Sequence, residues 1–251
     1  MLILLKVSTQ IFINIAMNDL ALLSLLQLAS PALPVGAYSY SEGLESLVDT
    51  GIIKDAETLH HWLTQELTHG VAKLEAAVML RAYQSFAQGS AGQDLEKIMY
   101  WNSWLTATKE TEELRSQSWQ MGNSLMLLLK ELSPEIRDLG AGNFVSLGGD
   151  QAQWNYAIAF GMAAATWQID SHTTTLAYLQ SWATNLISAG VKLIPLGQTA
   201  GQKLLRSMGD PIATTTEVVM DLRDEELATC GWGLAIASLS HAHQYSRLFR
   251  S

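Results

Sequence analysis

Histidines are the residues of this 251-residue chain whose spacing comes nearest to a metal site. His60 and His61 are adjacent, so on a helix their side chains diverge by about 100° and rarely chelate one ion. His241 and His243 could share a metal only if the backbone between them were extended. No H-E-x-x-H zinc motif occurs. We therefore expect surface or capping histidines and no metal site.

Motifs for nucleotide binding and covalent catalysis are also missing. The chain contains neither a G-x-x-x-x-G-K-[ST] loop nor a G-x-G-x-x-G fingerprint, and no serine or cysteine stands in a nucleophile motif. Gly148-Gly149 could hold an anion at a helix start, but a loop leading into an N-cap is the preferred interpretation. A helical-bundle hydrolase or cyclase would need paired carboxylates on facing helices, such as an Asp-rich or Glu-x-x-His motif, and we expect neither. We expect no catalytic residues.

Charged residues at two places allow a structural and a partner-binding interpretation. Glu112 and Arg115 are helical neighbours that can pair at the edge of the core or on a solvated face. Alternatively, Arg115 and Gln117 face a partner. Lys192 stands among apolar residues, where it is either a lysine whose stem lies along apolar surface near a helix end or an interaction residue.

The C-terminal tail, residues 241–251, mixes aromatic side chains with arginines, which is the composition of interface hot spots. Its candidate binding residues are Tyr245, Arg247, Phe249 and Arg250. An arginine that grips a carboxylate with two bonds is not replaceable by lysine. A tail that packs on nothing would be disordered, so we expect it to need a contact surface.

The connector, residues 30–45, is the most unusual stretch of the chain. Pro31, Pro34 and Gly36 prevent continuous helix and favour a turn or extended backbone. Ser41 is the predicted N-cap of a helix that Gly51 ends. Its tyrosines either pack on the core or contact a partner. The candidate binding residues here are Tyr38, Ser39, Tyr40, Glu42 and Glu45.

The remaining segments have helical periodicity, and none alternates with period two. We predict an all-α fold, a single-domain bundle of about ten helices with short loops over residues 18–251. Asp55 and Asp94 are predicted N-caps. Further predicted helices run from Asp150 to near Trp167, over 173–189 with Gly190 as the stop, over 196–208, over 212–222 after a turn at 209–211, and over 225–240.

Composition narrows the classes of function. Only 16% of residues are charged while 48% are hydrophobic, so either much of the chain is core or apolar surface awaits a partner. A net charge of −9 without a basic run argues against nucleic acid as a partner. The single cysteine, Cys230, excludes an intramolecular disulfide and suits a cytoplasmic location.

The first residues are apolar but do not fit a membrane or export signal. The stretch 1–16 is too short and too often interrupted by polar residues to span a bilayer, so we expect no membrane association. It also lacks the basic start and the cleavage site of a signal peptide. We predict an N-terminal extension over residues 1–17 in front of the helical domain, in which residues 1–16 lie upstream of Met17, the predicted true start. N-terminal sequencing of native protein tests this.

Four segments in order resemble the urease accessory protein UreF family, and the resemblance extends from Asn18 to the C-terminus. No single segment names a reaction, but four in the right order make the match specific. The segments are the connector; Glu113-Leu-Arg-Ser-Gln-Ser118 followed by Met121-Gly122; Gly190-Val-Lys-Leu-Ile-Pro-Leu-Gly-Gln-Thr199; and Gln244-Tyr-Ser-Arg-Leu-Phe-Arg-Ser251.

The resemblance implies a cytoplasmic, homodimeric, non-catalytic maturation factor. Such proteins bind the accessory protein UreD (also called UreH), recruit the GTPase UreG and engage urease apoprotein. Nickel is then the cargo of the complex and GTP binds the partner, so this chain needs no cofactor. The implied partner-binding residues are Tyr38, Ser39, Tyr40, Glu42, Glu45, Arg115, Lys192, Tyr245, Arg247, Phe249 and Arg250.

The resemblance also implies that the C-terminal tail becomes ordered when the accessory partner binds. Deleting residues 244–251 would then leave the fold intact and abolish assembly. An alternative role is stimulation of GTP hydrolysis by an arginine finger, with Arg115, Arg247 or Arg250 as the candidates.

Overall fold

A computed structural model describes residues 19–87, 94–134, 136, 153–228 and 231–251. Three sequence-based predictions lie outside these residues and are not tested by it: the N-terminal extension, a turn predicted at 89–92, and the Gly148-Gly149 anion site within the predicted loop 140–149. Cys230 also lies outside them.

The described residues form an all-α bundle of helices joined by short connections, which confirms the predicted fold class. Two short 3-10 turns, Ala37–Ser39 and Asp224–Glu226, supplement the α-helices. The α-helices are α1 (Asp19–Leu28), α2 (Leu44–Asp49), α3 (Ala56–Thr68), α4 (Val71–Ala87), α5 (Leu95–Thr108), α6 (Glu112–Leu132), α7 (Tyr156–Thr166), α8 (Ser171–Leu193), α9 (Gln198–Ser207), α10 (Gly209–Asp221) and α11 (Trp232–Ala242).

The core is built around α4 and α7. Helix α7 is apolar on all sides, with every residue from Ala157 to Ala164 buried, as expected of a helix at the centre of a bundle. Helix α4 packs against α7 and also against α3, α5, α8 and α10. The two central helices approach closely at Gly161, where an added Cβ would lie 2.4 Å from the Met79 carbonyl oxygen. None of the described helices is long and apolar enough to cross a membrane.

Local capping chemistry places several helix starts where the sequence predicts them. Asp55 caps α3 by accepting from the Thr58 backbone N–H at 2.9 Å, and Thr58 completes a capping box. Asp94 caps α5 by accepting from the Lys97 N–H at 3.1 Å. These caps are local in sequence, which is why they can be recognised without the fold.

Gly190 does not end a helix, contrary to the prediction, because α8 continues to Leu193. A Cβ at Gly190 would lie 2.5 Å from Leu59 Cδ2, so the glycine serves close packing of α8 on α3. The next helix, α9, begins at Gln198 rather than at 196.

Three other predicted boundaries were also wrong. The glycine-aspartate-proline sequence at 209–211 starts α10 instead of forming a turn, since Pro211 in the first turn needs no N–H donor. The predicted helix over 225–240 is a 3-10 turn followed by α11 from Trp232. Helix α7 begins at Tyr156 rather than at Asp150, and Asn155 is its N-cap.

Candidate functional site: a docked tail on the connector

The connector turns sharply because three residues adopt left-handed backbone. Gly36 and Gly43 have φ values of 78° and 75°, and Gly43 has no room for a side chain because a Cβ would lie 2.9 Å from the Ser238 backbone nitrogen on α11. Glu42 has φ 51°, which is uncommon for a residue other than glycine and costs about 1 kcal/mol or more. Helix α2 therefore starts at Leu44, with Gly43 as its N-cap. The prediction that Ser41 is the N-cap was wrong.

The strained Glu42 backbone places a carboxylate inside the protein. Glu42 accepts hydrogen bonds from Gln117 Nε2 at 3.1 Å and from Trp182 Nε1 at 3.0 Å. Burial raises the pKa of Glu42, and these bonds and the charge of Lys109 oppose that rise. Glu42 thus ties the connector to α6 and α8, and its carboxylate is engaged within the chain.

The C-terminal tail runs back along the connector and is bonded to it through backbone groups. The Arg250 N–H donates to the Ser39 carbonyl at 2.9 Å, and the Ser41 N–H donates to the Ser251 carbonyl oxygen at 2.8 Å. Ser251 Oγ donates in turn to Gln117 Oε1 on α6. The Ser39 contact is a backbone contact, so it does not depend on a serine side chain.

Glu45 on α2 accepts both of the next tail hydrogen bonds. Its Oε1 accepts from the Leu248 N–H at 2.6 Å and its Oε2 from the Phe249 N–H at 2.9 Å. Glu45 is 9% exposed, so it stabilises the tail from inside the protein rather than meeting a partner directly. Bonds from N–H groups to a carboxylate are the stronger, charge-assisted kind.

Side chains of α11, α6 and the tail form a row of polar contacts that begins at Glu45. His241 Nε2 lies 3.2 Å from Glu45 Oε2, and its Nδ1 lies 3.0 Å from Glu113 Oε2. Arg247 Nη1 donates to Glu113 Oε1 at 2.8 Å. The order of these contacts is therefore Glu45, His241, Glu113, Arg247.

Phe249 anchors the tail in the core. Its side chain is 6% exposed, and Lys192 Nζ, at the end of α8, lies 5.4 Å from the centre of its ring. This geometry is a cation–π contact. The tail is thus packed against its own chain through Phe249. Ordering of the tail by a partner stays a prediction.

Tyr40 of the connector contacts α6 and α8 and lies beside Arg250 of the tail. Its hydroxyl donates to Gln120 Oε1 on α6, and its carbonyl accepts from Asn185 Nδ2 on α8 at 3.4 Å. Burial raises the pKa of the Tyr40 hydroxyl, and the neighbouring Arg250 guanidinium opposes that rise. Gln120, Tyr40 and Arg250 line a surface cleft between the connector and α6.

Some predicted binding residues face solvent and others do not. Tyr245 is fully exposed, Tyr38 is largely exposed, and Arg250 is exposed beside the cleft. Arg115 lies apart from the tail, and its Nη2 donates to the Lys109 carbonyl at 3.1 Å rather than pairing with Glu112. Glu42, Glu45, Tyr40 and Phe249 face inward and make contacts within the chain.

Helix α11 presents an apolar stripe that sequence reasoning missed. Trp232, Ile236 and Leu239 are 76%, 62% and 55% exposed and recur at helical spacing on one face. Leu248 of the tail is 64% exposed. The spacing i, i+4, i+7 was visible in the sequence, but only the fold shows that this face looks outward.

The histidines are not arranged for metal binding among the described residues, where no group of three His, Cys, Asp or Glu could hold an ion. His241 is fully buried between two carboxylates, which corrects its assignment as a surface or capping histidine. Two Glu-x-x-His sequences do occur, beginning at Glu57 and Glu66, which corrects the expectation that this motif is missing. Both begin on α3, whose C-cap is His69, so they do not lie on facing helices.

A largely apolar chamber with a few charged side chains lies beneath the connector, lined by side chains of α4, α6, α7, α8 and α11 and by Lys109. Lys109 Nζ contacts the Glu75 carboxylate there, and Tyr178 donates to Glu75 Oε2 at 2.7 Å. Burial lowers the pKa of Lys109 to about 8. The buried charges are therefore paired, as buried charges must be.

The chain is thus an all-α helical-bundle protein whose C-terminal tail packs on the connector beside exposed aromatic and apolar side chains. The UreF family model matches residues 53–209. The chain is 55% identical to the urease accessory protein UreF of Nostoc sp. over 94% of this chain and 98% of that protein.

Other relatives give the same result at greater distance. The urease accessory protein UreF of Synechocystis sp. is 50% identical over 92% of this chain and 98% of its own length. That of Alkalilimnicola ehrlichii is 38% identical over 90% of this chain and 93% of its own length. This chain therefore belongs to the urease accessory protein UreF family.

Proposed function

We propose that this protein is a non-catalytic adaptor for nickel insertion into urease. It binds the accessory protein UreD (UreH), recruits the GTPase UreG and engages urease apoprotein in the cytoplasm, acting as a homodimer. The observation that carries the proposal is the surface where the tail lies on the connector. Three of the four segments that resemble the family meet there: the connector, the segment at 113–122 and the tail. Lys192 of the fourth segment contacts Phe249 of the tail.

The exposed residues around this surface have the chemistry of a protein interface. Tyr245 and Leu248 project from a tail whose backbone is already fixed by Glu45. Aromatic and apolar side chains on an ordered backbone bind at a smaller entropic cost than a disordered segment. The apolar stripe of α11 extends the same surface with Trp232, Ile236 and Leu239.

Coupling to GTP hydrolysis requires a difference in affinity. The adaptor must bind UreG more tightly in one nucleotide state than in the other, because only such a difference converts hydrolysis into release. In this role the chain needs no cofactor of its own: nickel is cargo and GTP is bound by UreG.

Co-expression with UreD and UreG, followed by size-exclusion chromatography with mass determination, tests the proposal. We expect a stable complex with two copies of this chain. The double variant Tyr245→Ala/Leu248→Ala should lose at least about tenfold in affinity for UreD, since exposed anchors of this kind contribute about 1–2 kcal/mol each. Leu127→Ala, an exposed leucine of α6 (65%), is the matched control and should bind normally. A chain that stays monomeric and ignores both partners would refute the proposal.

The arginine-finger role is a separate candidate, and Arg250 is considered for it because it is exposed and lines the cleft beside the connector. Its guanidinium lies beside Tyr40 at the cleft, whereas Arg247 is held by Glu113. Arg250→Lys should lower GTP turnover by UreG while sparing binding if Arg250 is a finger, and should lower binding if it is an anchor. We expect the anchor result.

A further inference from the structure

We propose that Glu42 is the positioning residue of the connector: its carboxylate joins α6 and α8 and thereby fixes the turn that presents Tyr38 to a partner. The inference rests on the proposed function in one respect, because Tyr38 has to contact a protein of the assembly. It goes beyond that function by assigning the contact to an exposed tyrosine and the orientation of that tyrosine to a glutamate that is not itself part of the contact.

The backbone at Glu42 needs support from its surroundings. Its φ of 51° lies in the left-handed region, which glycine adopts freely and other residues adopt at a cost. The connector has glycines in the same region at Gly36 and Gly43. A residue other than glycine stays in this conformation only where the surrounding contacts determine it. The side-chain contacts of Glu42 are therefore candidates for what holds the turn.

Both carboxylate oxygens of Glu42 accept hydrogen bonds, and the donors lie on two different helices. Oε1 accepts from Gln117 Nε2 of α6 at 3.1 Å, and Oε2 accepts from Trp182 Nε1 of α8 at 3.0 Å. Bonds to an ionised acceptor are stronger than bonds between neutral groups. A glutamine at position 42 has a single acceptor oxygen, so it cannot serve both donors in the same way.

The charges around this carboxylate allow it to lie inside the protein. Part of the residue reaches the surface, but Glu42 lines the chamber together with Glu75 and Lys109. Burial raises the pKa of Glu42, whereas the Trp182 bond, the charge of Lys109 and the Gln117 bond oppose that rise. The two hydrogen bonds that attach the connector therefore also offset the cost of placing a carboxylate there.

The orientation of Tyr38 depends on the same helix. Tyr38 lies in the 3-10 turn Ala37–Ser39 and is 71% exposed, and α8 packs against this turn. Helix α8 also contributes Asn185, whose Nδ2 lies 3.4 Å from the Tyr40 carbonyl oxygen. Without the Glu42 bond, the connector keeps this longer bond to α8. The turn then shifts on the helix, and Tyr38 no longer projects in a fixed direction.

Nuclear magnetic resonance of the indole N–H groups tests the contact itself. The full-length chain, labelled with 15N at tryptophan, is measured in complex with UreD, and Trp182→Phe identifies the Trp182 signal. Glu42→Gln should shift the Trp182 signal upfield, because a neutral acceptor replaces a carboxylate, and should leave the other tryptophan signals in place. Glu131→Gln, at an exposed position of α6, is the control and should shift none of them.

Binding measurements separate a positioning role from a general effect on stability. Affinity for UreD, and then for UreG by the complex with UreD, is measured for Tyr38→Ala, Glu42→Gln and the double variant. We expect both single variants to lose about tenfold or more in the same one of these two steps. The double variant should lose no more than Tyr38→Ala alone, because Glu42 acts through Tyr38 and the two effects are then not additive.

Trp182→Phe repeats the test without a change at Glu42, and it decides the matter if Glu42→Gln fails to fold. It should weaken the same step by a smaller factor, again without adding to the loss of Tyr38→Ala. Additive losses, an unchanged affinity of Tyr38→Ala, or an unshifted Trp182 signal in Glu42→Gln would overturn the inference and leave the adaptor function in place. An unmodified chain that binds neither partner would refute the proposed function and this inference together.

Discussion

Buried ionisable side chains dominate this protein at the scale of single residues. Glu45, Glu42 and Glu75 each accept several hydrogen bonds within the chain, and Lys109 contacts Glu75. A buried charge with satisfied partners fixes geometry, whereas removal of one partner leaves the other charge uncompensated. Consequences of single substitutions therefore depend on the partner that remains.

Glu66 gives a pH-dependent prediction. It lies in the last turn of α3, accepts from the Val71 N–H at 3.2 Å, and has its pKa raised to about 7 by burial, with the charges of Glu42 and Glu110 adding to the rise. Because the folded-state pKa exceeds the ordinary 4.5, ionisation costs stability as pH rises from about 4.5 through 7.

Glu66→Gln should therefore be more stable than the unmodified protein at pH 8, by up to about 3 kcal/mol, and the difference should vanish below about pH 4.5. Urea denaturation at several pH values measures the free energy of unfolding. Glu57→Gln, at an exposed position of the same helix, is the control and should show no such trend. Equal stability of both variants at pH 8 would contradict the assignment.

The ion pair between Lys109 and Glu75 gives a prediction about stability. Lys109→Met should cost about 3–5 kcal/mol of unfolding free energy because it leaves the Glu75 carboxylate buried without its cation. Lys109→Met combined with Glu75→Gln should recover much of that loss, since the charge is removed as well. A double-mutant cycle by chemical denaturation measures the coupling. Additive losses would show that the two side chains do not act as a pair.

At the scale of helices, the close approach of neighbouring backbones is the main constraint on packing. Glycines on α7 and α8 sit where another helix approaches, rather than where a helix ends. Gly122 on α6 is another, since a Cβ there would lie 2.0 Å from the Trp154 carbonyl oxygen. The bundle thus depends on the absence of a side chain at a few positions.

Gly161→Ala tests this dependence. An alanine Cβ would meet the Met79 carbonyl oxygen and the Tyr83 nitrogen of α4, so the two central helices must separate. We expect a loss of about 2–4 kcal/mol by thermal or chemical denaturation, despite a gain in helix propensity of about 1 kcal/mol.

Gly209→Ala is the matched control for this substitution. It adds a Cβ with nothing within 4 Å and should leave stability unchanged or slightly higher. If both alanine variants kept the stability of the unmodified chain, the close approach of α4 and α7 would not be a constraint.

The ordered tail is the feature that matters at the scale of the whole molecule. It joins the connector, α2, α6, α8 and α11 through backbone bonds, a buried phenylalanine and charged pairs. These contacts make the tail part of the packed structure.

Deletion of residues 244–251 should consequently reduce stability as well as assembly. Loss of the buried Phe249 side chain and of the two N–H groups bonded to Glu45 should cost about 2–5 kcal/mol. Circular dichroism should still show a helical protein, but with a lower melting temperature. Tyr245→Ala, which removes only an exposed side chain, is the control and should melt normally. An unchanged melting temperature on truncation would mean that the tail contributes nothing to the fold.

The helical class, the approximate number of helices and several starts followed from the sequence because they depend on neighbours within one or two turns. Asp55 and Asp94 cap helices through side chains only three residues away from the N–H groups they bind. The four family segments and their order were likewise present in the sequence. Contacts within a few residues leave a local pattern, so the pattern can be read without the fold.

Only the tertiary structure decided which residues of those segments face inward. Glu45 and Leu248 are more than 200 positions apart, and Gly190 meets Leu59 on another helix. A local sequence pattern therefore cannot show whether such a residue is buried against a distant segment or exposed on the surface. His241 resembled a surface histidine because its two carboxylates come from α2 and α6. Burial and charge pairing arise from the approach of distant segments, and that approach exists only once the chain has folded.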